Sequence, residues 1–226
     1  MGKSEEAQRF SKRAGNYRNL FDPKTGFMRG RNADGSWVEP FDPVEWGGPY
    51  TEGAAWHWLW SVQHDIPGLA SLLGGGEKMG EKLDQLFATP PTYGVGGYGR
   101  VIHEMREMEA GKMGQYAHAN EPVHHVPYLY TFVGQPWKTQ DKVRTILETL
   151  YGSGPDGYLG DEDNGQMSAW FIMSALGFYP ICPGKPIYVI GSPLVTSASI
   201  RLGKAKTLRI EAHNNCAENR YVQKVL

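Results

Sequence analysis

The chain has 226 residues, 40% of them hydrophobic and 12% aromatic, which is enough for one well-buried core or a core with a small satellite. A net charge of −1 with scattered Lys and Arg directs it neither to nucleic acid nor to an anionic membrane surface, and no apolar stretch is long enough to span a bilayer. Cys182 and Cys216 show no metal-type spacing, whereas abundant Gly, Trp and Tyr suit a carved pocket of the kind that binds sugars.

Helical periodicity is predicted over 5–20, 52–64, 78–87, 101–112, 123–132, 139–151 and 166–176. The first of these reads as an amphipathic helix without a signal-type apolar segment, so no export address is expected in the chain as it stands. Loops rich in Gly, Pro, Asn and Asp lie between the helices, notably FDPKTGFMRGRNADGSWVEPFDPVEWGGP and TPPTYGVGGYG. The first is long for a compact domain, and its tryptophans argue for function over disorder. Beyond Pro180 the pattern changes to short β-branched runs, IYVI, SASIRL, TLRIEAHN and RYVQKV, separated by turn residues. The expected architecture is mainly α: a helical body over 1–183 and a small antiparallel β tail over 184–226. Helices alternating with long loops suggest stacked hairpins whose loops converge on a site at one end.

The stretch GDEDNGQMSAWF, residues 160–171, places Asp161, Glu162 and Asp163 at the mouth of an apolar helix. Asp163 lies three residues before Gln166, the spacing of a helix N-cap, and the helix dipole would keep its carboxylate ionised as a general base requires. An EF-hand reading fails, because Gln166 falls where the turn glycine belongs and Ile172 where the bidentate acid belongs. In EWGGPYTEGAAWHWLW, residues 45–60, Glu52 sits at a predicted helix start among Trp46, Tyr50, Trp56 and Trp58. Desolvation by those rings would raise its pKa and the helix dipole would lower it, so a protonated Glu52 and an ordinary first-turn glutamate both remain open. A protonated Glu52 with an ionised Asp163 would match the two carboxylates that glycoside cleavage needs, about 6.5–9.5 Å apart for an inverting enzyme. In IHEMREMEAGKMGQYAHANEPVHHVPYLY, residues 102–130, Glu104 and Glu107 share a helical face with His103 beside them. That pair is either a solvated face or an oxygen-rich site for a hard cation, and His124–His125 lacks a zinc partner at the usual spacing.

The blocks GGPYTEGAAWHWLWSVQHD, IHEMREM, ANEPVHHVPYLYTFVGQPWKTQ, PDGYLGDEDNGQMSAWFIMSALGFYPICPG, YVIGSPL and NNCAENRYVQ together resemble glycoside hydrolase family 92 from about Gly47 onward. That family comprises calcium-dependent exo-acting α-mannosidases that invert the anomeric centre. The resemblance implies that Glu52 is the general acid, that Asp161 and Asp163 supply the base and its support, and that the substrate is a mannose-containing glycan. It implies Ca²⁺ at the cleaved mannose, with Glu104 and Glu107 as candidate ligands and His103, Glu121 and Trp46 as candidate sugar contacts. The fold implied is a partial (α/α)6 toroid ending in the β tail. Family members also carry an N-terminal β-sandwich domain with no counterpart here, so either that domain or self-association through exposed helix faces would cover the toroid. The full-length family is periplasmic or secreted. The alternative is a catalytically incompetent fragment with at most weak sugar binding.

Overall fold

The structure, a computed structural model, describes residues 2–226. Its contacts divide the chain into two compact units, Met1–Ala117 and His118–Leu226. Helices dominate, and the small antiparallel strand pairs are concentrated towards the C-terminus.

The first unit opens with α1 (Ser4–Ala14), which lies at the surface along its length. The predicted helix over 5–20 stops early because Gly15 passes the chain into a 3-10 turn, Gly15–Asn19. A hairpin of β1 (Phe21–Asp22) and β2 (Phe27–Met28) follows, with all four strand residues buried. Its turn is closed by the Asp22 carboxylate, which accepts the Lys24 N–H at 2.9 Å. Arg29, itself buried, donates to Asp22 Oδ2 at 2.8 Å and to the Val38 carbonyl at 2.9 Å, so the long glycine-rich segment is tied down rather than loose. The helix expected over 52–64 is only α2 (Ala55–Trp58), since Glu52 has φ 46° and cannot begin a right-handed turn. The chain becomes helical again at α3 (Ile66–Leu72), where the Asp65 carboxylate accepts the Gly68 N–H and Pro67 occupies the first turn. In α4 (Gly76–Ala88), Met79, Leu83 and Leu86 recur at helical spacing and are buried. Last comes α5 (His103–Gly111), closed by Lys112 in the left-handed region.

In the second unit, the run expected as a helix over 123–132 forms as two 3-10 pieces, Glu121–Val123 and Val126–Val133. Pro122 and Pro127 each remove a backbone donor near the start of a piece. The second piece packs on α6 (Pro136–Thr149), which begins at a proline in its first turn. The acidic loop leads into α7 (Gln166–Ala175), followed by β3 (Phe178–Tyr179) paired with β4 (Val189–Ile190). A final hairpin joins β5 (Ser197–Arg201) to β6 (Thr207–Glu211), in register from Ser197 opposite Glu211 to Arg201 opposite Thr207. Arg144 of α6 fixes this tail: its buried guanidinium donates to the Pro193 carbonyl at 2.7 Å and to Asn215 Oδ1 at 2.9 Å.

Candidate active site

In the first unit the functional candidates are rooted in one apolar cluster of Trp46, Ala54, Met105, Met108 and Ala117, against which Tyr98 and Ile102 pack. Trp46 is completely buried there with its ring edge-on to His57 at 4.9 Å, so it carries the loop above it and presents no face to a sugar. That loop is fixed through its backbone. The Gly47 N–H donates to the Gly53 carbonyl at 3.0 Å, the Trp58 indole N–H donates to the Thr51 carbonyl at 2.8 Å, and the Glu52 N–H donates to the Tyr98 hydroxyl at 2.7 Å. Gly47 at φ 81° and Glu52 at φ 46° both occupy the left-handed region, a costly conformation for glutamate and one that clusters at functional positions. Glu52 is exposed. Its aromatic neighbours therefore hold its backbone instead of enclosing its carboxylate, and α2 starts three residues later, so neither the aromatic desolvation nor the first-turn placement expected for it is found. His57 below is fully buried, and burial pushes its pKa down to about 4.

Helix α5 buries Met105 and Met108 in the same cluster, which places Glu104 and Glu107 at the flank of that buried face. Their side chains are 12% and 17% exposed, and both lean on His103: Glu107 Oε1 is 3.0 Å from its Nδ1 and Glu104 Oε1 is 3.4 Å from its Nε2. The expected shared face is present, and Glu104 Oε2 is buried without a hydrogen-bond partner among the described residues. Two carboxylates with an orphaned oxygen suit a hard cation in kind, but they fall short of the roughly six to eight oxygens calcium takes. Among the described residues no group of three His, Cys, Asp or Glu is placed to hold a metal, so any further ligands would be backbone, water or sugar oxygens.

In the second unit the acidic loop differs from expectation in one decisive respect. The carboxylate that caps α7 belongs to Glu162, not Asp163: Glu162 Oε2 accepts the Gly165 N–H at 2.6 Å and Oε1 accepts the Ser168 N–H at 3.1 Å. The N-cap position falls on Gly165, which has no side chain to use, and the acid three residues earlier reaches over it. Asp163, Asn164 and Gly165 have φ of 53°, 56° and 98°, three successive left-handed residues. Asp and Asn tolerate that region better than other residues, and the turn leaves both Asp161 and Asp163 exposed.

Beneath the loop lies a buried histidine pair that composition alone did not single out. His124 Nε2 donates to the His118 carbonyl at 2.9 Å, so Nδ1 is the bare nitrogen and accepts from Gln166 Nε2 at 3.1 Å. Burial pushes His124 down to about 4 against the opposing pull of the His118 carbonyl and the Asp163 carboxylate, which leaves it neutral near pH 7. The Trp170 indole donates to the His124 carbonyl at 2.9 Å, and His118 Nε2 lies 2.7 Å from the Tyr151 hydroxyl. Glu121 stands at the start of its own 3-10 turn, half-buried. No short motif marks this nest in the sequence, because His118, His124, Gln166 and Trp170 come from separate stretches brought together by packing.

The solved proteins this chain is similar to include a family GH92 inverting mannosidase of Bacteroides thetaiotaomicron, 53% identical with a TM-score of 0.82, covering 96% of this chain and 29% of that one. Another is a family GH92 α-mannosidase of the same organism solved with mannoimidazole, 38% identical with a TM-score of 0.86, covering 98% of this chain and 29% of that one. A curated relative, an uncharacterized secreted glycosidase of Arthroderma benhamiae, is 25% identical over 249 residues, or 99% of this chain and 29% of the relative. The chain thus spans under a third of the length of the relatives it matches. Among the described residues no helix is long and apolar enough to cross a membrane. Residues 1–226 match the glycosyl hydrolase family 92 catalytic domain throughout, and the chain belongs to that family.

Proposed function

We propose that this chain carries the acid and the base of an exo-acting enzyme that hydrolyses terminal α-mannosidic bonds with inversion. The observation that carries this reading is the capping by Glu162, which releases Asp161 and Asp163 from a structural duty and leaves two exposed carboxylates on a constrained turn. Likeness to solved GH92 mannosidases supports the choice of sugar. In this reaction Asp161 or Asp163 removes a proton from water as its oxygen attacks the anomeric carbon. Glu52 delivers a proton to the departing glycosidic oxygen, so the C–O bond breaks to an alcohol while the new hydroxyl forms on the opposite face. His103 and Glu121 are the proposed contacts to sugar hydroxyls. Glu104 and Glu107 are the proposed protein ligands of Ca²⁺, which when bound would supply a hard Lewis acid for vicinal hydroxyls of the cleaved mannose.

The helical hairpins belong, on this reading, to a partial (α/α)6 toroid over 1–183 with the β tail 184–226 docked on it, completed in the whole protein by a β-sandwich domain or, failing that, by self-association. Similarity to a relative described as secreted supports an extracytoplasmic setting, periplasmic or secreted. One observation favours a second reading, a non-catalytic fragment that at most binds sugar weakly: the chain covers 29% of its solved relatives. Release of the aryl group from an aryl α-mannoside separates the two. Turnover that is lost with chelator and restored by Ca²⁺ supports the enzyme. A folded protein that binds mannose without turning the aryl mannoside over supports the fragment.

A further inference from the structure

We infer that Glu162 is a positioning residue, whose carboxylate locks the turn that presents Asp161 and Asp163. The inference rests on the reading of those two aspartates as the base and its support. Every early donor of α7 is satisfied from within or just before the turn: Gln166 N–H donates to the Asp163 carbonyl at 3.2 Å, Met167 N–H to the Glu162 carbonyl at 3.2 Å, and Ala169 N–H to the Gly165 carbonyl at 2.8 Å. Glu162 supplies the remaining acceptors through both carboxylate oxygens, at Gly165 and Ser168. Without that pair of bonds only the long backbone bonds at Gln166 and Met167 oppose relaxation of Asp163 and Asn164 out of the left-handed region, where each is held at a cost. Relaxing two successive φ angles turns the flanking aspartates away from their present direction. The Ser168 hydroxyl, which also meets the Tyr158 hydroxyl at 2.7 Å, and the helix N–H groups hold the Glu162 carboxyl below its ordinary range, which favours the acceptor-only carboxylate form that both bonds need.

Three variants test this. Glu162→Gln keeps the length of the side chain but has only one oxygen, so one of the two N–H groups loses its acceptor. Glu162→Asp keeps both oxygens on a stem one methylene shorter, and Glu162→Ala removes both. Backbone chemical shifts of residues 161–165 are compared with those of 136–149, which report on folding elsewhere. Steady-state hydrolysis of an aryl α-mannoside is measured across pH alongside Asp161→Asn and Asp163→Asn. The expected result is a changed turn with α6 shifts intact, a KM within a few-fold of wild type, and kcat lowered about ten- to a hundredfold in Glu162→Gln, as for a misplaced catalytic group. The acid limb of the pH profile should move as well, and Glu162→Asp should recover part of both. Wild-type shifts across 161–165 in Glu162→Gln, or wild-type kcat with an unmoved acid limb, would overturn the inference while leaving the aspartates as base. Full activity in both aspartate variants would refute the base assignment and the inference with it, even where the shifts show that Glu162 holds the turn.

Discussion

Trp170 is the side chain through which α7, and hence the acidic loop, is anchored in the second unit, and replacing it with phenylalanine has a cost that follows from its contacts. Its ring is completely buried, edge-on to His118 at 4.5 Å and parallel to Tyr151 at 6.0 Å, and its indole N–H donates to the His124 carbonyl at 2.9 Å. Trp170→Phe keeps one ring and removes the donor, which leaves a buried carbonyl unsatisfied at about 1–3 kcal/mol. Loss of the second ring weakens the aromatic pairs by up to about 1 kcal/mol more. The expected total is about 1–4 kcal/mol, a large share of the roughly 5–15 kcal/mol that holds a domain together. Urea unfolding followed by far-UV circular dichroism measures it, with Trp137→Phe as the control. Trp137 is 51% exposed, and its replacement should cost under about 0.5 kcal/mol. Equal losses in the two variants, or a loss in Trp170→Phe below about 0.5 kcal/mol, would refute the anchoring argument.

Glu52→Gln should abolish turnover of mannosides with poor leaving groups and spare those with good ones, since only the former need proton donation. Comparing kcat/KM across a series of aryl leaving groups checks this. Asp163→Asn, or Asp161→Asn if that residue is the base, should depress both kinds of substrate alike. Thermal melting of the protein should rise with millimolar Ca²⁺, and the rise should disappear in Glu104→Gln together with Glu107→Gln; an equal rise in that double variant would remove these residues from the metal site. His57 and His124 are both held near 4 by burial, so the unfolded chain binds more protons than the folded one between about pH 4 and 6.5. Stability should therefore be full above about pH 6.5 and fall as pH drops towards 4, by up to about 1.4 kcal/mol per pH unit for each histidine. A flat urea midpoint from pH 7 to 4.5 would contradict that. Replacing both free cysteines, Cys182 and Cys216, with serine should leave any activity within a few-fold of wild type.

The helical body and the strand-rich tail were legible because long amphipathic runs and short β-branched runs carry different periods, and α4, α5, α6 and α7 lie where periodicity places them. Local backbone chemistry was not. The run over 52–64 has the right apolar spacing, but Glu52 and Gly53 enter it with a left-handed residue and Pro67 restarts it, so tertiary bonds from Gly47, Trp58 and Tyr98 decide the path. The paired acids of α5 were found by spacing alone, because a regular helix converts sequence distance directly into a shared face. The cap at α7 was misplaced by one residue in the loop. Counting back from the first helical residue selects Asp163 only if the turn before it is ordinary, and three consecutive left-handed residues bring Glu162 into reach instead. The His124 network was hidden for a different reason: its partners, His118, Gln166 and Trp170, are gathered by packing across distant stretches, and no short motif encodes that.

The stereochemical course of hydrolysis tests the central claim most directly. An aryl α-mannoside is incubated with the Ca²⁺-loaded protein, and the anomeric proton of the first mannose released is followed by NMR before mutarotation. Inversion, with water activated by Asp161 or Asp163 opposite a leaving group protonated by Glu52, predicts β-mannose as the first product. First appearance of α-mannose, or turnover that survives Asp161→Asn combined with Asp163→Asn, would contradict it.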